Sequence, residues 1–239
     1  MIKMTLLSFL IRSCAAVVLL AGSVRCLAGD VSDKLAELEK QRNKINTLHT
    51  VAKTTTRMGA GNRESTIETW EKQADGKHKL RRVFRTKTVA AQGAEPAETE
   101  TVMVNDGTTA WRETPVMGSK RLVFKGKATG RGEFEDIRSM AGRGEARLRG
   151  QETVLDQPCI QLEIKGKEGG DQFLASYWIS ERYGVVLKSV VESADQSVTE
   201  TRVTEFKVDE TVADSLFAYK PPADAQVIDS DSIGKKKGD

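Results

Sequence analysis

The stretch that most constrains the fold is residues 172–192, because it has the pattern of two strands joined by a short turn. Apolar side chains alternate along its first half, and those that share one face are Phe173, Ala175, Tyr177 and Ile179. Residues 180–184 form the predicted turn, where Gly184 can adopt a positive φ, and residues 185–191 form the returning strand. An isolated hairpin is only marginally stable in water, so the pattern predicts a larger sheet with an apolar layer against one face.

The first 28 residues have the pattern of an export signal. Lys3 and Arg12 provide a positive start, residues 14–24 are a short apolar run, and residues 26–28 fit a signal-peptidase cleavage site. The apolar run is shorter than the roughly 18 residues needed to span a bilayer. We therefore predict a signal peptide over residues 1–28 that is cleaved on export to the periplasm, with retention as a membrane anchor as the alternative.

Charge and cysteine content exclude several classes of protein once this leader is removed. The chain has 37 basic and 34 acidic residues, and Lys3, Arg12 and Arg25 account for the whole excess. A formally neutral mature chain gives no electrostatic reason to bind nucleic acid or anionic membranes. Of the 3 cysteines only Cys159 lies beyond residue 28, so no disulfide within the mature chain is expected.

An amphipathic helix followed by a series of strands is predicted for the first half of the mature chain. The helix covers residues 30–48. Its apolar stripe consists of Leu35, Leu38, Ile45 and Leu48. Strands are predicted at residues 51–58, 65–72, 79–88, 101–104 and 108–111. Short turns such as Asn105-Asp106-Gly107 separate these strands and favour an antiparallel meander.

Residues 114–150 interrupt the strand pattern with a segment rich in glycine and arginine. Within this insert, residues 133–141 predict a short helix that carries Phe134, Ile137 and Ala141 on one side. A cover over an opening and a surface loop with an incidental helical turn are both compatible with this pattern.

Strands resume after the insert and complete a single domain. The predicted strands are residues 151–164, the 172–192 hairpin and residues 197–208. The sequence contains no internal repeat and no linker between domains, so residues 29–229 are predicted to form one domain. Residues 230–239, with three consecutive lysines, predict a disordered tail.

The sequence offers little support for catalysis. The 2 histidines, His49 and His78, lie at a predicted helix end and a turn, where nothing indicates a base held against a nucleophile. Cys159 lies in a predicted strand without a cationic neighbour in sequence, which favours a packing role. No motif for a metal, nucleotide or other cofactor is present. We therefore predict no catalytic residues, no metal and no cofactor, with a carboxylate-based or Cys159-based hydrolase as an alternative.

The order of the elements resembles the outer-membrane lipoprotein-sorting, or LolA-like, superfamily. That superfamily includes a periplasmic carrier, its outer-membrane receptor and envelope-stress regulators of the RseB/MucB type. An export signal, an amphipathic helix, a meander, a helical insert and a late hairpin follow one another in that order. The matching stretches are residues 104–111, 177–180, 184–188, 214–222 and 227–229.

The resemblance implies an α+β fold in which a strongly curved antiparallel sheet, an incomplete barrel, wraps around the N-terminal helix beneath a short helical lid. It also implies an apolar cavity between sheet and helix. The candidate cavity-wall residues are Trp70, Phe84, Trp111, Phe173, Tyr177 and Ile179, and the candidate lid residues are Phe134, Ile137 and Met140. Carriers of this family hold the lid through a strand arginine, for which Arg81, Arg82 and Arg85 are the candidates.

The implied function is a non-catalytic, monomeric periplasmic carrier for lipoprotein acyl chains or a similar apolar lipid. Its expected partners are an inner-membrane release complex and an outer-membrane receptor. An envelope-stress regulator that binds a membrane signalling protein is the second hypothesis, and a hydrolase is the third. The carrier hypothesis requires an apolar space between sheet and helix, since burying methylenes, at about 0.8 kcal/mol each, would drive binding.

Overall fold

A computed structural model describes residues 28–59, 61–88, 97–115, 121–128, 133–168 and 171–232. The predicted leader and most of the predicted tail lie outside these ranges. The helices are α1 (Ala28–Arg42) and α2 (Glu133–Arg143). The strands are β1 (Thr47–Met58), β2 (Gly61–Ala74), β3 (Lys77–Thr88), β4 (Ala97–Asn105), β5 (Thr109–Pro115), β6 (Arg121–Lys127), β7 (Glu145–Val154), β8 (Gln157–Glu168), β9 (Asp171–Ser180), β10 (Val186–Ser193), β11 (Val198–Val208) and β12 (Gln226–Asp229).

The twelve described strands form one curved sheet that does not close. Their order is β12-β6-β5-β4-β3-β2-β1-β11-β10-β9-β8-β7, and neighbours are antiparallel except for the parallel pair β12 and β6. β1 pairs with β2 on one side and with β11 on the other, so it joins two meanders in the middle of the sheet. This confirms the predicted antiparallel sheet in its main features.

Pairing across the strands defines an inner and an outer face of this sheet. One row of paired residues runs Tyr177, Ser189, Thr201, Thr54, Ser65 and Thr86. Directly paired side chains share a face, and hydroxyl hydrogen bonds of 2.9 Å join Thr54 to Thr201 and Ser65 to Thr86. Because Tyr177 belongs to the buried apolar cluster that contains side chains of both helices, we call this side the inner face. Even-numbered residues of β3 around Thr86 therefore face inward.

The helices cover the inner face at the β7–β9 end of the sheet. Their buried side chains form one apolar layer with β8 and β9. Its buried members are Val31, Leu35, Leu38, Phe134, Ile137, Leu162, Ile164, Ala175, Tyr177 and Ile179. No helix within the described residues is long and apolar enough to cross a membrane.

α1 ends earlier than its sequence pattern predicts. The helix stops at Arg42, and β1 begins at Thr47, so Leu48 belongs to a strand rather than to the helix. The carboxylate of Asp209 accepts hydrogen bonds from the backbone N–H of Asn46, at 2.8 Å, and of Thr47, at 3.3 Å. These contacts satisfy donors that a continuing helix would use, and they align β1 with the end of β11.

The glycine-rich insert contains more regular structure than predicted. Its helix is confirmed as α2, but residues 121–127 form the additional strand β6, and β7 begins at Glu145. Val123 is fully buried in β6, between flanking segments whose glycines had indicated a loop. The short apolar run of residues 122–124 was the strand signal in this region.

The segment after β11 crosses the outer face before it reaches β12. Its 3-10 helix, Asp214–Phe217, buries Phe217. The hydroxyl of Tyr219 donates a 2.7 Å hydrogen bond to Glu113, and its ring packs on Trp111. We call residues 214–222 the outer strap. Beyond β12, Ser230–Ser232 forms a second 3-10 turn, so these first three residues of the predicted tail have regular structure.

Candidate functional site

An open cavity of about 560 Å³ lies beside the helix-covered part of the inner face. It is bounded by the C-terminal end of α1, the N-terminal end of α2 and strands β2–β5. Its polar lining residues are Glu39, Arg42, Asn43, Glu71, Gln73, His78, Arg82, Asn105, Glu133, Glu135 and Asp136. Its apolar lining residues include Leu80, Met103, Ala110 and Phe134. The volume is typical of small-molecule sites, although the lining is more polar than that of most such pockets.

Strand register explains why these side chains meet. Glu71 pairs with Leu80, which pairs with Asn105, and Asn105 pairs with Ala110. This row and the neighbouring row through Arg82 lie on the inner face, because both contain even-numbered residues of β3. The sheet therefore provides one continuous wall of the cavity, opposite the two helix ends.

A charged cluster joins α1 to the sheet at the edge of the cavity. The guanidinium of Arg42 hydrogen-bonds to the carboxylate of Glu71, which also contacts His78 Nε2 at 2.9 Å. Burial alone would raise the pKa of Glu71, but the hydrogen bond from His78 and the positive charge of Arg42 together lower it below 4.5. Glu71 is thus held as a carboxylate that ties the C-terminal end of α1 to β2.

We expect Glu71→Gln to lower the stability of the protein by about 2 kcal/mol near neutral pH, since Arg42 would lose its charged partner. The lowered pKa means that ionised Glu71 stabilises the fold above pH 4.5, and that this contribution is lost as the pH falls through the lowered pKa. Urea unfolding midpoints of wild type and variant should therefore be measured from pH 7 to pH 3. The two midpoints should differ near neutral pH and become equal at acid pH. Glu64→Gln, on an exposed part of β2, is the matched control. A wild-type-to-variant difference that stays constant with pH would contradict this role.

The structure separates the three candidate lid arginines. Arg82 lines the cavity, and its Nε donates a 3.2 Å hydrogen bond to Thr69 Oγ1. Arg81 faces outward and donates to the backbone oxygen of Leu216 in the outer strap. Arg85 is exposed and pairs with Glu68 and Glu100. Only Arg82 of these three faces the first turn of α2.

The first turn of α2 forms an acidic wall opposite Arg82. Glu133, Glu135 and Asp136 all line the cavity, near the positive end of the helix dipole. Desolvation raises the pKa of Glu133 to about 7, and the positive charges of Arg82 and Arg42 offset it only in part. Glu133 keeps solvent exposure at the cavity mouth, which moderates this effect. Farther along α2, Arg138 pairs with Glu39 of α1.

Three of the six predicted wall residues and all three predicted lid residues form one packed layer on β9 and α2. Tyr177 and Ile179 are buried against α1 and α2, with Phe173 packed at the edge of the same layer. Phe134 and Ile137 are buried in that layer, and the sulfur of Met140 lies 3.5 Å from the Tyr177 hydroxyl. These six residues therefore come together, but the space between them is filled by their own side chains.

The three other predicted wall residues lie elsewhere. Trp70 and Trp111 belong to one outer-face row with Arg81 and Val104. Trp70 stacks on His49 with ring centroids 5.1 Å apart, and Trp111 packs on Tyr219 at 5.6 Å, although it also borders the cavity. Phe84 is a half-buried inner-face residue outside the cavity lining. The predicted wall is thus divided between two faces of the sheet.

A smaller hollow of about 290 Å³ lies on the outer face beside the stacked rings of His49 and Trp70. Residues 210–213 and Leu216 form its other side. Since it lies between the sheet and the segment leading into the outer strap, it is separate from the cavity at the helix ends.

Solved structures with a similar fold include a crystal structure of MucB in complex with MucA(peri). Its identity is 18%, its TM-score is 0.50, and the match covers 83% of this chain and 62% of that chain. The Pseudomonas aeruginosa MucA/MucB complex matches at 18% identity and a TM-score of 0.48, covering 84% and 63%. A putative outer membrane lipoprotein-sorting protein domain from Vibrio parahaemolyticus matches at 10% identity and a TM-score of 0.31, covering 78% and 96%.

The chain has the fold of the part of the MucB chain that it matches. The predicted resemblance, which includes regulators of the MucB type, is therefore confirmed at the level of the fold. The chain spans less than two thirds of the length of the MucB chains that it matches. No protein-family model matches it, and no curated protein does. At these identities the likeness concerns the fold alone.

The residues that sequence reasoning considered for chemistry lie outside the cavity, with one exception. Cys159 is fully buried in β8, and burial raises its pKa to about 11, which keeps the thiol protonated at neutral pH. The described residues contain no group of three or more metal-ligating side chains. His78 is the exception, since it contacts Glu71. The turn at residues 75–76 pairs Gln73 with His78, so Glu71, two residues before Gln73, lies diagonally across from His78. The predicted turn was thus the available signal for this contact.

Proposed function

We propose that this chain is a non-catalytic binding protein of the cell envelope that holds an acyl-bearing ligand between the sheet and α2. The observation that carries the proposal is the position of α2. One side of this helix buries Phe134 and Ile137 in an apolar layer, while its first turn forms a wall of the 560 Å³ cavity. A displacement of α2 would join the two spaces and expose apolar side chains of β8 and β9.

The filled layer under α2 determines how such a ligand would bind. Acyl chains would replace the side chains of Phe134, Ile137 and Met140 against Tyr177 and its neighbours, so that one apolar contact is exchanged for another. The described position of α2 would then be the closed one. Because the exchange releases only part of the burial energy, binding would remain reversible, as a carrier requires.

Native mass spectrometry of the full chain, expressed with its leader and purified from the periplasm, tests this proposal. We expect a bound acyl lipid, or uptake of an added diacylated lipopeptide. Ile164→Asp is expected to reduce uptake at least tenfold, because it places a carboxylate among the buried side chains of β8 that the acyl chains would contact. Lys165→Asp, at the next and exposed position of the same strand, should leave uptake unchanged. Circular dichroism confirms that both variants fold, and a wild-type chain that never binds lipid refutes the proposal.

A second candidate function is regulation through a partner protein, which the likeness to MucB in complex with MucA(peri) favours. In that case the surface around α1 and α2 would bind a periplasmic segment of a membrane protein. Cross-linking in cells followed by identification of the captured protein separates the two functions. A single inner-membrane signalling protein supports regulation, whereas lipoproteins and an outer-membrane receptor support transport.

A further inference from the structure

We propose, on the basis of the proposed function, that the cavity recognises the head group of the ligand, and that this head group is a phosphodiester bearing a primary amine. Such a group carries a negative and a positive charge a few bonds apart. The cavity has a guanidinium on its sheet wall and carboxylates on its helix wall, and apolar side chains belong to the same lining. Its charge pattern is therefore complementary to a zwitterion.

Arg82 provides the site for the phosphate. Its Nε is fixed by Thr69, which is buried, so the side chain is held in place on the inner face. In the described part of the chain, no hydrogen bond or close ion pair occupies its two terminal nitrogens. A planar guanidinium with free N–H groups binds a phosphate through two parallel hydrogen bonds.

The other basic side chains around the cavity are already occupied. Arg42 and His78 both contact Glu71, so that this cluster has no spare charge for a ligand. Arg138 of α2 is paired with Glu39, which lines the cavity. Among the described cavity residues, Arg82 is therefore the one guanidinium available to an anion.

The ammonium group would face α2. Glu135 and Asp136 alone outnumber the one free arginine, and neither of them forms an ion pair within 4 Å in the described structure. A purely anionic ligand would meet repulsion from this wall, whereas an ammonium would neutralise it. Leu80, Met103 and Phe134 line the same cavity and lead toward the apolar layer beneath α2. They would contact the first methylenes of an attached acyl chain.

Binding of short-chain phospholipids below their micelle concentration tests this inference. Isothermal titration should show that dihexanoyl phosphatidylethanolamine binds at least tenfold more tightly than dihexanoyl phosphatidylglycerol. Arg82→Gln should weaken both lipids about tenfold or more. The double variant Glu135→Gln/Asp136→Asn should remove the preference for phosphatidylethanolamine while phosphatidylglycerol binds as well or better. Arg85→Gln, on the outer face of the same strand, is the matched control and should bind like wild type.

The outcomes separate this inference from the function on which it rests. Lipid binding without head-group preference, or binding that Arg82→Gln leaves intact, overturns the inference but leaves the proposed function standing. A wild-type chain that binds neither phospholipid overturns the inference, and the proposed function falls with it only when native mass spectrometry also finds no bound acyl lipid and no uptake of the lipopeptide. Glycerophosphoethanolamine, which has the head group and no acyl chain, should bind at least tenfold more weakly than the lipid. If this compound bound as tightly as dihexanoyl phosphatidylethanolamine, the inference that the head group belongs to a lipid would be overturned.

Discussion

Replacing Gly184 with alanine is expected to destabilise the protein by roughly 3 kcal/mol or more. Gly184 ends the turn between β9 and β10 with φ at +61°, where residues with a side chain are strained. A Cβ at this position would lie 2.0 Å from the backbone oxygen of Leu38 and 2.9 Å from its carbonyl carbon. Because those atoms belong to α1, the helix would have to move away from the sheet.

A second glycine provides the matched control for this measurement. Gly142 lies in α2, and a Cβ there would meet nothing within 4 Å. Gly142→Ala should therefore leave stability unchanged or raise it by about 0.5–1 kcal/mol, since alanine is the better helix former. Urea unfolding midpoints of both variants measure the contrast. Equal midpoints would contradict the close approach of α1 to the turn.

The same hairpin shows which features of this fold could be predicted from the sequence. Alternation from Phe173 to Ile179 and the glycine at position 184 are local signals, and strands β9 and β10 with their turn lie where those signals placed them. The helix of the insert was predicted for the same reason, because its apolar spacing is local. The spacing of apolar residues and the residue types of a turn depend only on neighbouring positions, so one sequence is enough to recognise them.

The candidate site could not be predicted in this way, because it depends on contacts between distant parts of the chain. Arg42 meets Glu71 only because α1 ends where Asp209 binds the start of β1. Likewise, alternation places Trp70 on one face of β2, but it does not identify which face the helices cover. The outer strap, which follows β11, decides that Trp70 and Trp111 pack on the outside.

That role of the outer strap leads to a second large effect. Phe217 is the buried residue of its 3-10 helix, with 2% of its surface exposed. We expect Phe217→Ala to reduce stability by about 3–5 kcal/mol, through the lost burial of the ring and the space that it leaves. The loss should be largely apolar in origin, because the hydrogen bond from Tyr219 to Glu113 does not involve Phe217.

Calorimetric and urea unfolding measure this loss of stability. Lys220 is an exposed residue of the same strap, so Lys220→Ala is the control, and its stability should stay within about 0.5 kcal/mol of wild type. If Phe217→Ala also left lipid binding by the folded fraction unchanged, the outer face would be a structural layer and the inner face the binding face. A loss below about 1 kcal/mol would mean instead that the strap is only loosely held. The hollow beside His49 and Trp70 would then become the stronger candidate for a ligand site, since a detached strap would open it to the outer row of tryptophans.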